Sequence, residues 1–491
     1  MPWGTKKNVD DLVARIASND PLLTSLCVLT STRTVDSSSC IQISEALRSN
    51  TILKELLLSG HKVGAHGAAA MSEALSGPTG NHTLCMLCIG SQQFSDDGVN
   101  ALASHLGQWN FVNDLDLELK NLGPQGVTNL GTSLAANTSI HSLTLARNPL
   151  ADEGVLALLS HMYGDVHSNG SLTSLSLAET EIGCTSIEGF TTRVCATNAL
   201  ETLKLDRNAG IGAGCSTSTA LTQLLSESTS PLRLHSLSMA RCSLGDVGVL
   251  QLSTGLSTCF SMLRMDLAHN GFGPDGARAL SAAFICGGAP SLLALVLNGN
   301  DIGSTGATSL AGALGSPHRS PRTLEKLSLQ SCKIGSEGAA SIGAHVAAGL
   351  VELNVMDCDL GDQGVLSLMS SFNEGAHSSL RSLNLCANNL TDVSGVFACE
   401  KIFEIFPLEM CEMMDETTGR PVVTFVLGLG ANKDLGVGTT ASVERLLEGR
   451  RGFQVAQDKG DDGSGELATA DGEPSDVVKF DEMMKGMSKG E

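Results

Sequence analysis

The chain has 491 residues, of which 42% are apolar and only 3% aromatic, with 54 glycines and a formal net charge of −21. So few bulky residues exclude one large globular core, while Leu, Ala, Val and Ile suffice for an elongated stack of small units. The negative balance opposes nucleic acid, whose phosphates would be repelled, and no apolar run approaches the roughly 18 residues that would span a membrane.

The 15 cysteines are an odd number and are scattered, which fits reduced thiols better than a disulfide framework. The opening MPWGTKKNVDDLV carries two lysines and no apolar signal-peptide core. The expected home is the cytosol. Residues 8–18 read as a short amphipathic helix with Val9, Leu12, Val13 and Ile16 on one face and Asn8 as its N-cap. As part of a segment 1–22, this helix should close one end of the stack.

From Leu23 a unit begins to recur. The first copy is irregular, because STRTVDSSSC stands where later copies have an Asn and Gly turn, and a longer crossing is expected there. The clearest copy, LLALVLNGNDIGSTGATSLAGAL at 292–314, places Leu292, Leu295 and Leu297 on one side of a short strand. Its second half has Ala307, Leu310, Ala311 and Leu314 at helical spacing. Equivalent first positions are Leu23, Leu53, Leu84, Val112, Ile140, Leu172, Leu200, Leu234, Met262, Leu292, Leu324, Leu350 and Leu380, spaced by roughly 28 to 32 residues. Neither half buries its apolar face alone, so copies must stack.

Two kinds of residue punctuate the copies. Asn148, Asn208, Asn270, Asn300 and Asn388, with Cys242, Cys332 and Cys358 at the same position, should bond the turning backbone of the adjacent copy. Asn50, Asn81, Asn137, Asn169 and Asn198 precede the next strand and are expected to end helices in the left-handed conformation. Cys85 and Cys88 form a C-x-x-C with no second pair nearby, so partly buried strand residues are preferred to a metal site. Loops such as SPHRSPRT are surface variation and possible contact points.

After Asn388 the spacing stretches: residues 393–406 look helical, 391–421 reads as an insertion, and VTFVLGLGANKDLGVGTTASVERLL resumes the pattern. Asn432, Leu435, Gly436 and Gly438 match Asn208, Ile211, Gly212 and Gly214, which makes a degenerate fourteenth copy and a stack over 23–455. The GLGANK stretch lacks both G-x-G-x-x-G and G-x-x-x-x-G-K-(S/T), so no nucleotide cofactor is implied. Residues 456–491 are acidic and rich in Gly and should be disordered. Within them SDVVKFDEMMKGM would gather Val477, Phe480, Met483, Met484 and Met487 on one side of a helix, to dock in a partner's groove or fold back on the last copy.

The recurrent L-x-x-L-x-L-x-x-(N/C)-x-(I/L)-G-x-x-G, seen as LEKLSLQSCKIGSEG from Leu324 and LVELNVMDCDLGDQG from Leu350, resembles leucine-rich repeat proteins of the ribonuclease-inhibitor-like class. The resemblance implies an α/β solenoid of about 14 repeats, a curved horseshoe with parallel strands on the concave face and helices on the convex one. Ran GTPase-activating proteins are similar in repeat type. Their activity implies an essential arginine near the N-terminal repeats, and the turns LSGHKVGAHG and IGSQQFSDDG contain none. Ribonuclease inhibitors imply acidic concave residues with aromatic anchors, whereas Trp3, Trp109 and Tyr163 lie off the strands.

With the first Leu as position one, positions three, five, seven and eight should face outward. Leu295 and Leu327 then face the core, and Ser328 the other side. Position eight carries Arg147, Glu179, Arg207, Arg241 and His269 in successive copies, with Asp114, Asp116 and Glu118 beside them in the fourth, and Lys204, Asp206, Arg264 and Asp266 on strands between. This mixed row is either a partner-binding surface or a set of solvated charges that pair among themselves. No H-E-x-x-H, G-x-S-x-G or convergent Cys, His and Asp set occurs, so no catalytic, metal or cofactor site is expected. The remaining reading is a non-enzymatic scaffold or structural subunit with unidentified protein partners in a multiprotein complex, for which a cytoskeletal or ciliary assembly is a fitting place. A Ran-type GTPase activator and an inhibitor of the ribonuclease-inhibitor type are the alternatives.

Overall fold

The computed structural model describes residues 9–164, 168–194, 199–215, 218–228, 232–316, 324–345, 349–372, 379–406, 425–448, 450, 452–458 and 465–469. The chain divides into two compact units, Met1–Leu244 and Gly245–Glu491. The first starts with the helix Asp10–Ala17, which buries Leu12 and Ile16, with Val9 buried just ahead of it; Asn8, its expected cap, lies outside the described residues. Among the described residues eight strands come after it: β1 (Ser25–Cys27), β2 (Glu55–Ser59), β3 (Met86–Gly90), β4 (Asp114–Asp116), β5 (Ser142–Thr144), β6 (Ser174–Ser176), β7 (Thr202–Lys204) and β8 (Ser236–Ser238). Each pairs in parallel with the next. Helices such as Pro124–Ala136 and Ala151–Met162 return the chain between them.

The second unit repeats the plan with β9 (Arg264–Asp266), β10 (Ala294–Val296), β11 (Lys326–Ser328), β12 (Glu352–Asn354), β13 (Ser382–Asn384), β14 (Phe425–Gly428), β15 (Phe453–Asp458) and β16 (Gly465–Thr469). All its neighbours are parallel except β15 and β16, which are antiparallel. Among the described residues no helix is long and apolar enough to cross a membrane.

The register follows position four. Leu115, Leu143, Leu175, Leu203 and Leu237 are aligned across β4 to β8, and Met265, Leu295, Leu327, Leu353 and Leu383 across β9 to β13; all are buried. Each such side chain removed from water contributes about 1.5–3 kcal/mol. One residue on either side along the strand, exposure alternates, as for Thr202 and Leu203. Ser328 departs from the expectation: it is 4% exposed, because its Oγ donates to Asn298 Oδ1 on the neighbouring copy at 2.7 Å.

Three other expectations need correction. Asn50, Asn81, Asn137 and Asn169 do not adopt the left-handed conformation, and Asn137 is extended at φ −85°, ψ 136°. Their buried amides bridge copies instead: Asn81 Nδ2 donates to Leu47 and Asn50 carbonyls, while its Oδ1 accepts from the Thr83 and Leu84 N–H groups. Asn198 lies outside the described residues. The helix Asp392–Ile405 is the ordinary return helix of the thirteenth copy, so no insertion begins at 391; 407–424 are not among the described residues. Finally, β15 and β16 lie within or beyond the segment expected to end the stack, because β14 leaves an open edge that β15 extends and β16 pairs in turn. The apolar segment at 475–487 and the loop SPHRSPRT from 317 onward are outside the described residues.

A row of hydrogen bonds on the helix side escaped the sequence. Asp96, Asp152, Asp246, Asp362 and Asp392 occur at one repeat position, and each carboxylate accepts from an N–H that opens the next copy's helix: Gly123, Gly183, Gly273, Thr391 and Gly436. Helix starts have unpaired N–H groups and favour negative charge. The Asp392 carboxyl is therefore held down at about 2, chiefly by the hydroxyl and N–H of Thr439 and the N–H of Gly436.

Candidate functional site

The candidate surface is built on positions eight and nine, just past each strand. Where position nine is Asn or Cys, it is buried. Asn148 Nδ2 donates to the Leu117 and Leu145 carbonyls at 2.8 Å, and its Oδ1 accepts from the Lys120 and Leu122 N–H groups. Asn208 repeats this further along the stack, donating to Leu177 and Leu205 and accepting from Thr180 and Ile182. Cys242, Cys332 and Cys358 give one thiol bond to the preceding copy, to Leu205, Leu297 and Leu329 carbonyls. Burial raises the Cys332 and Cys358 thiols to about 12, so they are inert donors, not nucleophiles.

Fixing position nine turns the chain at position eight. Arg147, Glu179, Arg207 and Arg241 lie at φ 58°, 54°, 60° and 59°. They belong to the turn and not to the strand face proper. The left-handed conformation costs an L-residue roughly 1–2 kcal/mol. Leu119, Ser331, Asp357, Ala387 and Ala431 share it, whereas Gly60 and Gly299 occupy it without strain. The conformation belongs to the fold; the charge belongs to this stretch.

The exposed row is not a positive ridge. Arg147 pairs with Glu118 at 3.4 Å and with Glu179 at 3.0 Å, and Glu179 also pairs with Arg207 at 2.9 Å. Glu118, Arg147, Glu179 and Arg207 thus alternate in sign. The last three line a cleft of about 670 Å³ together with Leu119, Pro149, Glu181 and Asn208. Exposed pairs of this kind stabilise little, about 0.2–1 kcal/mol. Arg241 is exposed, with no ion pair among the described residues. His269 belongs to the second unit, where it lies at φ 55° with its ring against the open side of Gly299. Asp114 and Asp116 are half-buried on β4; burial raises the Asp114 carboxyl, and Asp116 adds to that. Asp116 Oδ1 accepts from the Glu118 N–H at 2.8 Å.

Position nine is neither Asn nor Cys at Ser31, His61, Gln92, Lys120 and Thr180; of these, His61 and Lys120 are ionisable and buried, and aligning the copies at that position would have revealed both. His61 is a satisfied buried ring: Nδ1 accepts from the Val35 N–H, and Nε2 bonds the Val28 carbonyl. Lys120 is 1% exposed, and its Nζ reaches Ser59 on β2 at 3.4 Å. Burial lowers its ammonium, against the opposing effect of Cys88, Asp116 and Glu118. Cys88, the inner member of the C-x-x-C, has a thiol raised to about 11, first by burial and then by Asp116. Cys85 donates to the Thr83 carbonyl.

The model of the Leucine Rich repeat family matches residues 136–159, 258–281, 288–311, 320–343 and 350–369. Ribonuclease inhibitor from Sus scrofa is 24% identical over 397 residues, covering 68% of this chain and 83% of that protein. Human NACHT, LRR and PYD domains-containing protein 5 is 26% identical over 276 residues, covering 56% of this chain. The chain spans only 22% of the length of that relative. The yeast Rad7 and Elc1 complex structure covers 86% of this chain and 88% of the matched one at 15% identity and a TM-score of 0.47, a likeness too loose to add to the stacked repeats themselves.

Proposed function

Because the chain is a leucine-rich repeat protein of the ribonuclease-inhibitor-like class, we propose that it is a non-enzymatic scaffold or structural subunit that binds another protein on the strand side of its first unit, along the turns that follow the strands. The observation that carries this reading is the row Glu118, Arg147, Glu179 and Arg207. Three of these charged side chains stand in consecutive left-handed turns beside one open cleft, where glycine would relieve the backbone. Alternating signs select a partner by matching its own charges, and they govern specificity and encounter rate more than affinity. Asp114, Asp116 and Arg241 are the further contact residues we assign in that unit. The cytosol, in a cytoskeletal or ciliary assembly, is the home we propose, and imaging of a tagged chain tests it.

The partner is found by affinity purification of the full chain from its native source. Replacing Arg147, Arg207 and Arg241 by Glu should then weaken its binding at least tenfold, with circular dichroism unchanged and wild-type binding falling as salt rises. Unaltered binding overturns the reading. The second reading, inhibition of a ribonuclease, is favoured by the likeness that spans 83% of the pig inhibitor. Against it, Trp109 is buried, with its Nε1 on the Ser72 carbonyl, and offers no anchor. Stoichiometric inhibition of a ribonuclease would replace the scaffold, as would catalytic acceleration of GTP hydrolysis by Ran.

A further inference from the structure

A second cavity on the strand side of the first unit, about 360 Å³, is lined by Ser59, Gly60, Lys62, Ser91, Gln92, Gln93, Leu119 and Lys120. Its lining contains two lysines and no carboxylate, in a chain whose net charge is −21. The larger cleft is different, since Glu179 there pairs with both Arg147 and Arg207 and Glu181 adds a second carboxylate to the lining.

Lys120 occupies the position that an Asn or Cys fills in most copies, and those shorter side chains spend their hydrogen bonds on backbone carbonyls. The lysine instead passes β3 to end against Ser59 on β2, with that one side-chain hydrogen bond among the described residues, at 3.4 Å, for three N–H donors. A buried ammonium this poorly hydrogen-bonded is expensive, and since Asp116 and Glu118 act on it through charge without a hydrogen bond, its donors are left for an anion in the cavity. Gly60 stands at position eight of this wall at φ 81°, so no side chain blocks the cavity there. Lys62 is exposed among the lining residues, and the Gln92 and Gln93 amides supply further donors.

We infer that this cavity receives an acidic side chain, Asp or Glu, from a loop of a protein partner, with the Lys120 ammonium as its counter-ion and the Ser59 hydroxyl and glutamine amides as donors. A carboxylate suits one ammonium on the floor better than a phosphoryl group, for which the lining provides no arginine fork. The inference rests on the strand side being the binding surface, but its test needs no native partner, so either can fail while the other holds.

The full chain is titrated calorimetrically at low salt with the peptide acetyl-Gly-Gly-Glu-Gly-Gly-amide and with its Gln counterpart. The Glu peptide should bind with a dissociation constant on the order of 1 mM, and the Gln peptide at least tenfold more weakly. Lys120→Met should lose the preference for Glu while melting no lower than the parent, since an apolar stem replaces a buried charge. Lys333→Met, which removes an exposed lysine of the second unit, should keep that preference. Equal binding of the two peptides, an undiminished preference in Lys120→Met, its loss in Lys333→Met, or tighter binding of inorganic phosphate than of the Glu peptide would each overturn the inference.

Discussion

Positions eight and nine are neighbours along the chain in every copy, yet they carry opposite work. At nine, Asn208 is buried and makes bonds to both its own turn and the preceding copy. At eight, Arg207 is exposed, is strained in φ, and forms its ion pair with Glu179. The pairing teaches that the fold specifies the first residue type through buried hydrogen bonds, while it specifies only a backbone conformation at the second. Sequence freedom at eight is therefore where binding specificity can be written.

The scale for breaking that contrast is set by the shared core. Leu295→Ala should cost about 2–5 kcal/mol in denaturant unfolding, as for other buried leucines. Asn208→Ala comes next, at about 2–4 kcal/mol, because it strands the buried Leu177 and Leu205 carbonyls and the Thr180 and Ile182 N–H groups. A loss under 0.5 kcal/mol or so would show that water replaces the amide and that position nine is no more constrained than eight. Arg207→Gly should stay within about 1 kcal/mol of the parent, since relief of the left-handed backbone offsets glycine's chain entropy and one exposed ion pair.

The smallest effect is read by acid. Asp392, held at about 2, against roughly 3.9 in an unfolded chain, contributes stability that is present above the unfolded value. That stability is lost as pH falls from there toward the folded one, since the unfolded state binds the proton first. Asp392→Asn should flatten the stability-against-pH curve in that window and leave it unchanged at neutral pH apart from a constant offset. An unflattened curve would mean that the carboxylate does not hold the helix at Gly436.

Strand positions were legible in the sequence because Leu at one, four and six leaves a pattern that no helix shares: β1 to β13 each begin two residues after the expected first apolar residue, as β10 does after Leu292. The Asn and Cys of position nine were legible for the same reason. The Asn residues before each strand were found, but their conformation was not, because spacing does not reveal whether a side chain turns its own backbone or reaches for the neighbour's. The charged row was legible as residues, while its alternation into pairs depended on rotamers across copies. Lys120 was hidden by its neighbourhood: a lysine two residues after the run Asp114, Asp116 and Glu118 is equally compatible with an exposed ion pair, and only burial tells the two apart. The recurrent Asp at the start of the helices had a visible signal in its spacing. Its meaning lies in the unpaired N–H groups at the start of the next copy's helix.

That Asp row gives the stack a direction. Asp152 completes the helix opened by Gly183, Asp246 the one opened by Gly273, and Asp392 the one opened by Gly436, always from earlier to later. A copy emerging from a ribosome thus meets a template whose capping group is already in place, whereas a copy folding from the other end would find its first N–H groups waiting on chain that has not yet folded. Growth from the N-terminal side completes each helix as it forms, so the order of synthesis and the order of easiest assembly coincide.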